Sequence, residues 1–130
     1  MKQQIFQFTI VVLDYDEAIE FYTEKLNFEL LEDTIVSPEK RWVRIAPPGS
    51  SGCNLLLAKA KNEQEKAAVG NQTGGRVGFF LHTDDVHRDY LNLKFKGVRI
   101  VREPVAEPFG NVLVFADLYG NLWDLIQPNA

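Results

Sequence analysis

The sequence predicts an α+β protein built from two tandem βαβββ modules, and two repeats carry that prediction. Residues 6 to 30, FQFTIVVLDYDEAIEFYTEKLNFEL, reappear in outline at 77 to 100 as VGFFLHTDDVHRDYLNLKFKGVRI. The module ends repeat as well, GCNLLLAK at 52 to 59 answering GNLWDLIQ at 120 to 127. Two copies of such a unit point to packed modules, since a solenoid needs about three or more repeats. The reading is a single domain over residues 1–130, with a first module over about 4–60, a linker over 61–75 and a second module over 76–128.

Each element follows from a local pattern. Between Phe6 and Leu13 the apolar residues are nearly continuous, yet Gln7 and Thr9 fall on one face of a strand while Phe8, Ile10 and Val12 fall on the other. Phe8, Ile10 and Val12 are therefore expected beneath the first helix. Asp14 stands three residues before Glu17, a capping-box spacing, and Ala18, Ile19, Tyr22 and Leu26 form a helical stripe. Asn27 closes this helix where the second copy has Gly97; both residue types accept a left-handed backbone. The second helix repeats the plan, with Asp84 or Asp85 as cap and Val86, Tyr90 and Leu93 along one side.

Three strands are expected after each helix, near 28–36, 40–46 and 53–59, then near 98–103, 111–116 and 121–127. Ser37-Pro38, Pro47-Pro48-Gly49, Pro108-Phe109-Gly110 and Tyr119-Gly120 separate them as turns. The stretch Glu103 to Gly110 reads as a loop, long enough to rim a binding site. KAKNEQEKAAV, from Lys59, reads as a short exposed helix, and GNQTGG, ending at Gly75, as a flexible hinge without the lysine of a phosphate loop.

Composition excludes several classes of function. A chain of 130 residues that is 45% hydrophobic and 12% aromatic can bury a real core. A net charge of −4 argues against a nucleic-acid partner, which needs clustered Lys and Arg. The lone Cys53 makes neither an internal disulfide nor a thiolate metal cluster. No apolar run approaches the roughly 18 residues of a membrane span, and the acidic turn after Leu13 does not suit a signal peptide, so no membrane partner and a cytoplasmic location are expected.

The βαβββ pair, together with VLDYDEAIEFYTEKLNF at 12–28, TDDVHRDYLNLKFKGVRI at 83–100 and FADLYGNLWDLIQP at 115–128, resembles the vicinal oxygen chelate superfamily. That superfamily includes glyoxalase I, extradiol dioxygenases and bleomycin resistance proteins. The resemblance covers nearly the whole chain. It implies a curved mixed sheet around a cavity, a small-molecule ligand, a homodimer and, in many members, a divalent metal such as Zn, Ni, Fe or Mn.

Relatives that hold a metal take one ligand from the first and last strand of each module. The matching positions here are Gln7 and Leu56, then Gly78 and Asp124. Leu56 and Gly78 carry no donor, so Gln7 and Asp124 are the two candidate metal ligands and the expectation is a degenerate site with no resident metal. His82 shares the face of Gly78 but stands four residues on, roughly 13 Å along the strand, too far to replace it.

Strand alternation turns Gln7, Thr9, Asn54, Phe80, His82 and Asp124 toward one cavity face, mixing a few polar groups with apolar lining as small-molecule sites do. Asp124 and His82 are the candidate acid/base residues, since His titrates near neutral pH and a carboxylate in an apolar strand needs a partner or a proton. Gln7, Thr9, Arg44, Asn54 and Phe80 are the candidate binding residues, with Arg44 beside Trp42 suited to a carboxylate or phosphate. Gly78 leaves room for a ligand or another backbone. Two readings stand: a small-molecule binder like the bleomycin resistance branch, or a metal-dependent glyoxalase-I-like lyase or dioxygenase-like enzyme.

Overall fold

The computed structural model describes residues 1–130 and divides into two compact units, Met1–Val69 and Gly70–Ala130. Each is a four-stranded mixed sheet with a helix on one face, so the two tandem βαβββ modules are observed. In the first unit β1 (Gln7–Val12) leads to α1 (Tyr15–Glu20) and a π-helical turn over Phe21–Lys25. Then come β2 (Glu29–Ser37), β3 (Lys40–Ala46), β4 (Asn54–Lys59) and the short α2 (Glu63–Ala68). The second unit holds β5 (Val77–His82), α3 (Val86–Phe95), β6 (Arg99–Glu107), β7 (Gly110–Ala116) and β8 (Leu122–Pro128).

The strand orders are β1-β4-β3-β2 and β5-β8-β7-β6, with the first strand parallel to the last and the other pairs antiparallel. The helix after each first strand makes that crossover possible. Its start is capped as the sequence predicts: Glu17 N–H donates to Asp14 Oδ2 at 2.9 Å and Arg88 N–H to Asp85 Oδ1 at 3.0 Å, which assigns the second cap to Asp85. Its end turns through Asn27 at φ 60° and Gly97 at φ 75°.

The widened π turn lets the consecutive aromatics Phe21 and Tyr22 both be buried, Tyr22 fully and in ring contact with Phe21 and Phe28. Beneath lie Ile10, Val12, Val43, Ile45 and Leu57, none with more than trace exposure. Leu113, Phe115, Trp123 and Leu125 form the corresponding layer of the second unit, where Trp123 stacks between Phe79 and Phe115. Phe8 departs from expectation: it is 51% exposed, so only Ile10 and Val12 of its face are buried.

Two segments read as irregular are held by their neighbours, one by a strand and one by a turn. Residues Glu103 to Glu107, expected as a loop, continue β6 in antiparallel pairing with β7, leaving only Pro108 and Phe109 as the turn. Pro104 is tolerated because β6 is an edge strand with a register shift between Arg102 and Val105. The GNQTGG connector is likewise not a free hinge. A Cβ on Gly70 would stand 2.0 Å from the Tyr119 carbonyl oxygen, and a Cβ on Gly78 would stand 2.4 Å from Thr73 Cγ2. The space left by Gly78 is thus taken by a connector side chain, whose Oγ1 donates to the Arg76 carbonyl at 2.7 Å.

Candidate functional site

Cross-strand register fixes which side chains share the face opposite α1. Thr9 pairs with Leu56, Leu56 with Arg44 and Arg44 with Glu32, so these four form one row across the first sheet. Gln7 pairs with Asn54 in the row beside it. Arg44 ties the rows together: Nε donates to Gln7 Oε1 at 3.1 Å, and Nη1 to Glu32 Oε1 at 3.2 Å. Its side chain is 27% exposed, partly shielded from water. Asn54 is buried at 9% exposure, and its Oδ1 has no hydrogen-bond partner. An orphaned buried acceptor is uncommon and costs about 1–3 kcal/mol until a donor arrives.

Next to these rows a groove of about 590 Å³ runs along the same face, with Thr9, Val11, Trp42, Leu56 and Ala58 among its lining. Arg41, next to Trp42, also lines this groove and engages the start of α1. Its guanidinium holds Asp33 at 2.7 and 3.0 Å and Asp16 at 2.9 Å, and lies over the Tyr15 ring. The hydrogen bond from Arg41 lowers the Asp33 pKa below the usual carboxylate range. Arg41 therefore anchors α1 to β2 and β3 at the end of the groove, while Arg44, Gln7 and Asn54 share the sheet face beside it without lining it.

The equivalent row of the second unit is Phe80, Asp124, Val114 and Arg102, by the same register. Unlike charges have changed places between the copies: Leu-Arg-Glu in the first row stands where Asp-Val-Arg stands in the second. Asp124 is half-buried; desolvation raises its pKa and the charge of Arg102 opposes the shift. Phe80 is 66% exposed, and His82 is exposed at the end of β5, where the following residues cap α3. Sequence reasoning passes over Asp117 as a functional group in its own right. It is buried and accepts from the backbone of Tyr119 and Asn121 and from Asn121 Nδ2, thereby shaping the turn into β8.

A group whose folded pKa lies above its ordinary 3.8 favours its protonated form in the fold, so its stability contribution is present below 3.8 and is lost as pH rises through the folded value. Asp124→Asn is accordingly expected to stabilise the protein at pH 7 by about 0.5–1 kcal/mol, the scale of one part-buried polar group. The difference closes below about pH 4, where Asp124 is protonated in both states. Urea denaturation of both proteins at the two pH values checks this; a pH-independent difference would remove burial as its cause.

The residues at the four metal positions do not suit a divalent ion. Gln7 already gives its amide oxygen to a guanidinium, whose positive charge repels a cation at that place. Leu56 and Gly78 have no donor atoms, Thr73 fills the space beside Gly78, and burial disfavours the charged form of Asp124. Neither unit gathers three His, Cys, Asp or Glu side chains in coordinating reach.

A duplicated βαβββ fold carrying polar rows on the sheet faces away from its helices defines a class of small-molecule-handling proteins. The chain belongs to the Glyoxalase/Bleomycin resistance protein/Dioxygenase superfamily, whose family model matches residues 4–125. It is 53% identical over 130 residues to a protein of Shewanella frigidimarina, covering 99% of this chain and 96% of that one. Among solved structures, UcmS2 superposes with a TM-score of 0.85 at 34% identity, covering 97% of this chain and 98% of its own. TnmS3, an antibiotic binding protein from Streptomyces sp. CB03234, does so with a TM-score of 0.80 at 30% identity, covering 98% of each chain. No helix is long and apolar enough to cross a membrane.

Proposed function

We propose that this chain is a metal-independent small-molecule-binding protein of its superfamily. The carrying observation is that Gln7 Oε1, at a metal-ligand position, accepts from Arg44 at 3.1 Å, so the first module presents a fixed organic cation where relatives present a metal ligand. The candidate binding residues of the first unit are Gln7, Thr9, Arg44 and Asn54; the second unit carries its own candidates, Phe80 and Asp124. The similarity to an antibiotic binding protein supports a binding role over turnover. The reading includes a homodimer in the cytoplasm; exposed Ile35 and Val36 on edge strand β2 and Phe80 on β5 support assembly.

One observation favours a second reading, a lyase-like enzyme with Asp124 and His82 as acid and base: burial raises the Asp124 pKa above its ordinary value, the direction in which an acid/base carboxylate is tuned. Metal analysis separates the two. Dialysis of the purified protein against Ni, Zn, Fe or Mn is expected to leave substoichiometric metal after desalting. Tight stoichiometric binding of any of them would return the chain to the metal-dependent branch, and metal-free isomerisation of methylglyoxal-glutathione would favour the acid/base reading.

A further inference from the structure

We propose that Arg44, Gln7 and Asn54 recognise a flat carboxylic acid whose hydroxyl or N–H donor stands apart from its carboxylate. The inference rests on metal-independent binding and names the ligand chemistry. Arg44 has five N–H donors, of which two are engaged, one by Gln7 and one by Glu32. Three hydrogens on its Nη atoms are left for an acceptor, in the fork geometry that suits a carboxylate. The Glu32 pair does not close the site, because it takes a single Nη1 hydrogen at 3.2 Å and leaves Nη2 unengaged. With Gln7 Oε1 turned to the guanidinium, its amide N–H groups become donors for the same ligand.

Asn54 supplies the opposite requirement. Its Oδ1 is nine-tenths or more buried and unpartnered, on the face where its strand neighbour Gln7 meets Arg44, so it calls for a donor. No Arg44 nitrogen satisfies it, which places the donor and acceptor requirements at separate points. Asn54 is the direct cross-strand partner of Gln7, the residue Arg44 reaches, so both requirements lie in one corner of the sheet face. A ligand whose donor is tied to its own carboxylate, as on adjacent ring carbons, leaves Asn54 unserved; one whose donor stands free of the carboxylate can serve both. Leu56, which pairs with Arg44, and Trp42, two residues before Arg44 on the same face of β3, offer an apolar floor for the ring.

The test is calorimetric titration of the full chain, in chelator, with meta-hydroxybenzoate, benzoate and salicylate. The meta compound is expected to bind about tenfold more tightly than benzoate, one hydrogen bond to an otherwise orphaned acceptor. Salicylate is expected to match benzoate, its hydroxyl being turned to its own carboxylate. Asn54→Leu should erase the meta preference while benzoate still binds. Arg44→Met should weaken all three by about tenfold or more, with Arg44→Lys intermediate, provided the melting temperatures match wild type. Equal binding of meta-hydroxybenzoate and benzoate, salicylate binding best, wild-type affinity in Arg44→Met, or no binding of any probe at millimolar concentration each overturns the assignment. Binding that appears only on adding Ni or Zn overturns metal independence instead, so the two failures are distinguishable.

Discussion

Asp117→Ala is expected to destabilise the protein by about 3 kcal/mol, lowering the melting temperature by about 10 °C for a chain of this size. Asp117 is 6% exposed and accepts from Tyr119 N–H at 3.1 Å, Asn121 N–H at 2.9 Å and Asn121 Nδ2 at 2.8 Å, with Trp123 Nε1 at the edge of range at 3.5 Å. Removing the carboxylate strands these donors around a cavity too dry to rehydrate them freely, and unsatisfied buried donors carry a larger penalty than the bonds they formed. Asp117→Asn keeps one acceptor oxygen and should lose roughly half as much. Chemical denaturation followed by circular dichroism measures both. An alanine variant within about 0.5 kcal/mol of wild type would mean that the turn into β8 holds without its carboxylate.

Gly70→Ala should have an effect of the same size from a different cause. Gly70 has φ +73°, and a Cβ there would lie 2.0 Å from the Tyr119 carbonyl oxygen and 2.9 Å from its carbon, a backbone group that cannot rotate aside. The left-handed conformation adds about 1 kcal/mol and the overlap about 1–3 more. Gly74 is the matched control: it has φ +74°, but a Cβ there would meet nothing within 4 Å, so Gly74→Ala should lose only the conformational part. Urea midpoints of the two variants separate strain from collision, and identical midpoints would show that the close approach to Tyr119 does not constrain the chain.

Much of the architecture is legible in the sequence because it rests on local chemistry. Asp14, Asn27 and Gly97 announce helix ends through side-chain acceptors and left-handed tolerance, properties that do not depend on what lies across the molecule. β6 reads short because Pro104 and Pro108 look like loop residues; a sequence does not say that a strand is at an edge, where a proline's missing N–H leaves no central ladder bond broken. Phe8 follows the right alternation and is exposed all the same, because alternation gives a face without telling how far the covering helix reaches.

The site divides along the same line. That Gln7, Asn54 and Asp124 occupy the face away from the helix is a matter of period two, readable from the chain. That Arg44 reaches Gln7 is not, because it depends on β4 lying between β1 and β3 and on the stagger of those strands. The charge exchange between the two rows is invisible for the same reason: Arg44 and Arg102 are not equivalent in the repeat, and only the register reveals their different places. Asp117 stands out in the sequence as part of a family block, while its work as a four-donor acceptor depends on how the turn folds around it.

The parallel pairing of each opening strand with its closing one has a consequence for how the protein is born. As the chain leaves the ribosome, β2 and β3 can pair at once, because a short turn joins them. β1 has no partner except β4, and β5 none except β8, so each opening strand, apolar on one side, must wait while the rest of its unit is translated. Neither half can finish by zipping from one end; each closes in a single late event when its final strand slots between two already present. Such a strand, if delayed, is an open edge to any other nascent copy.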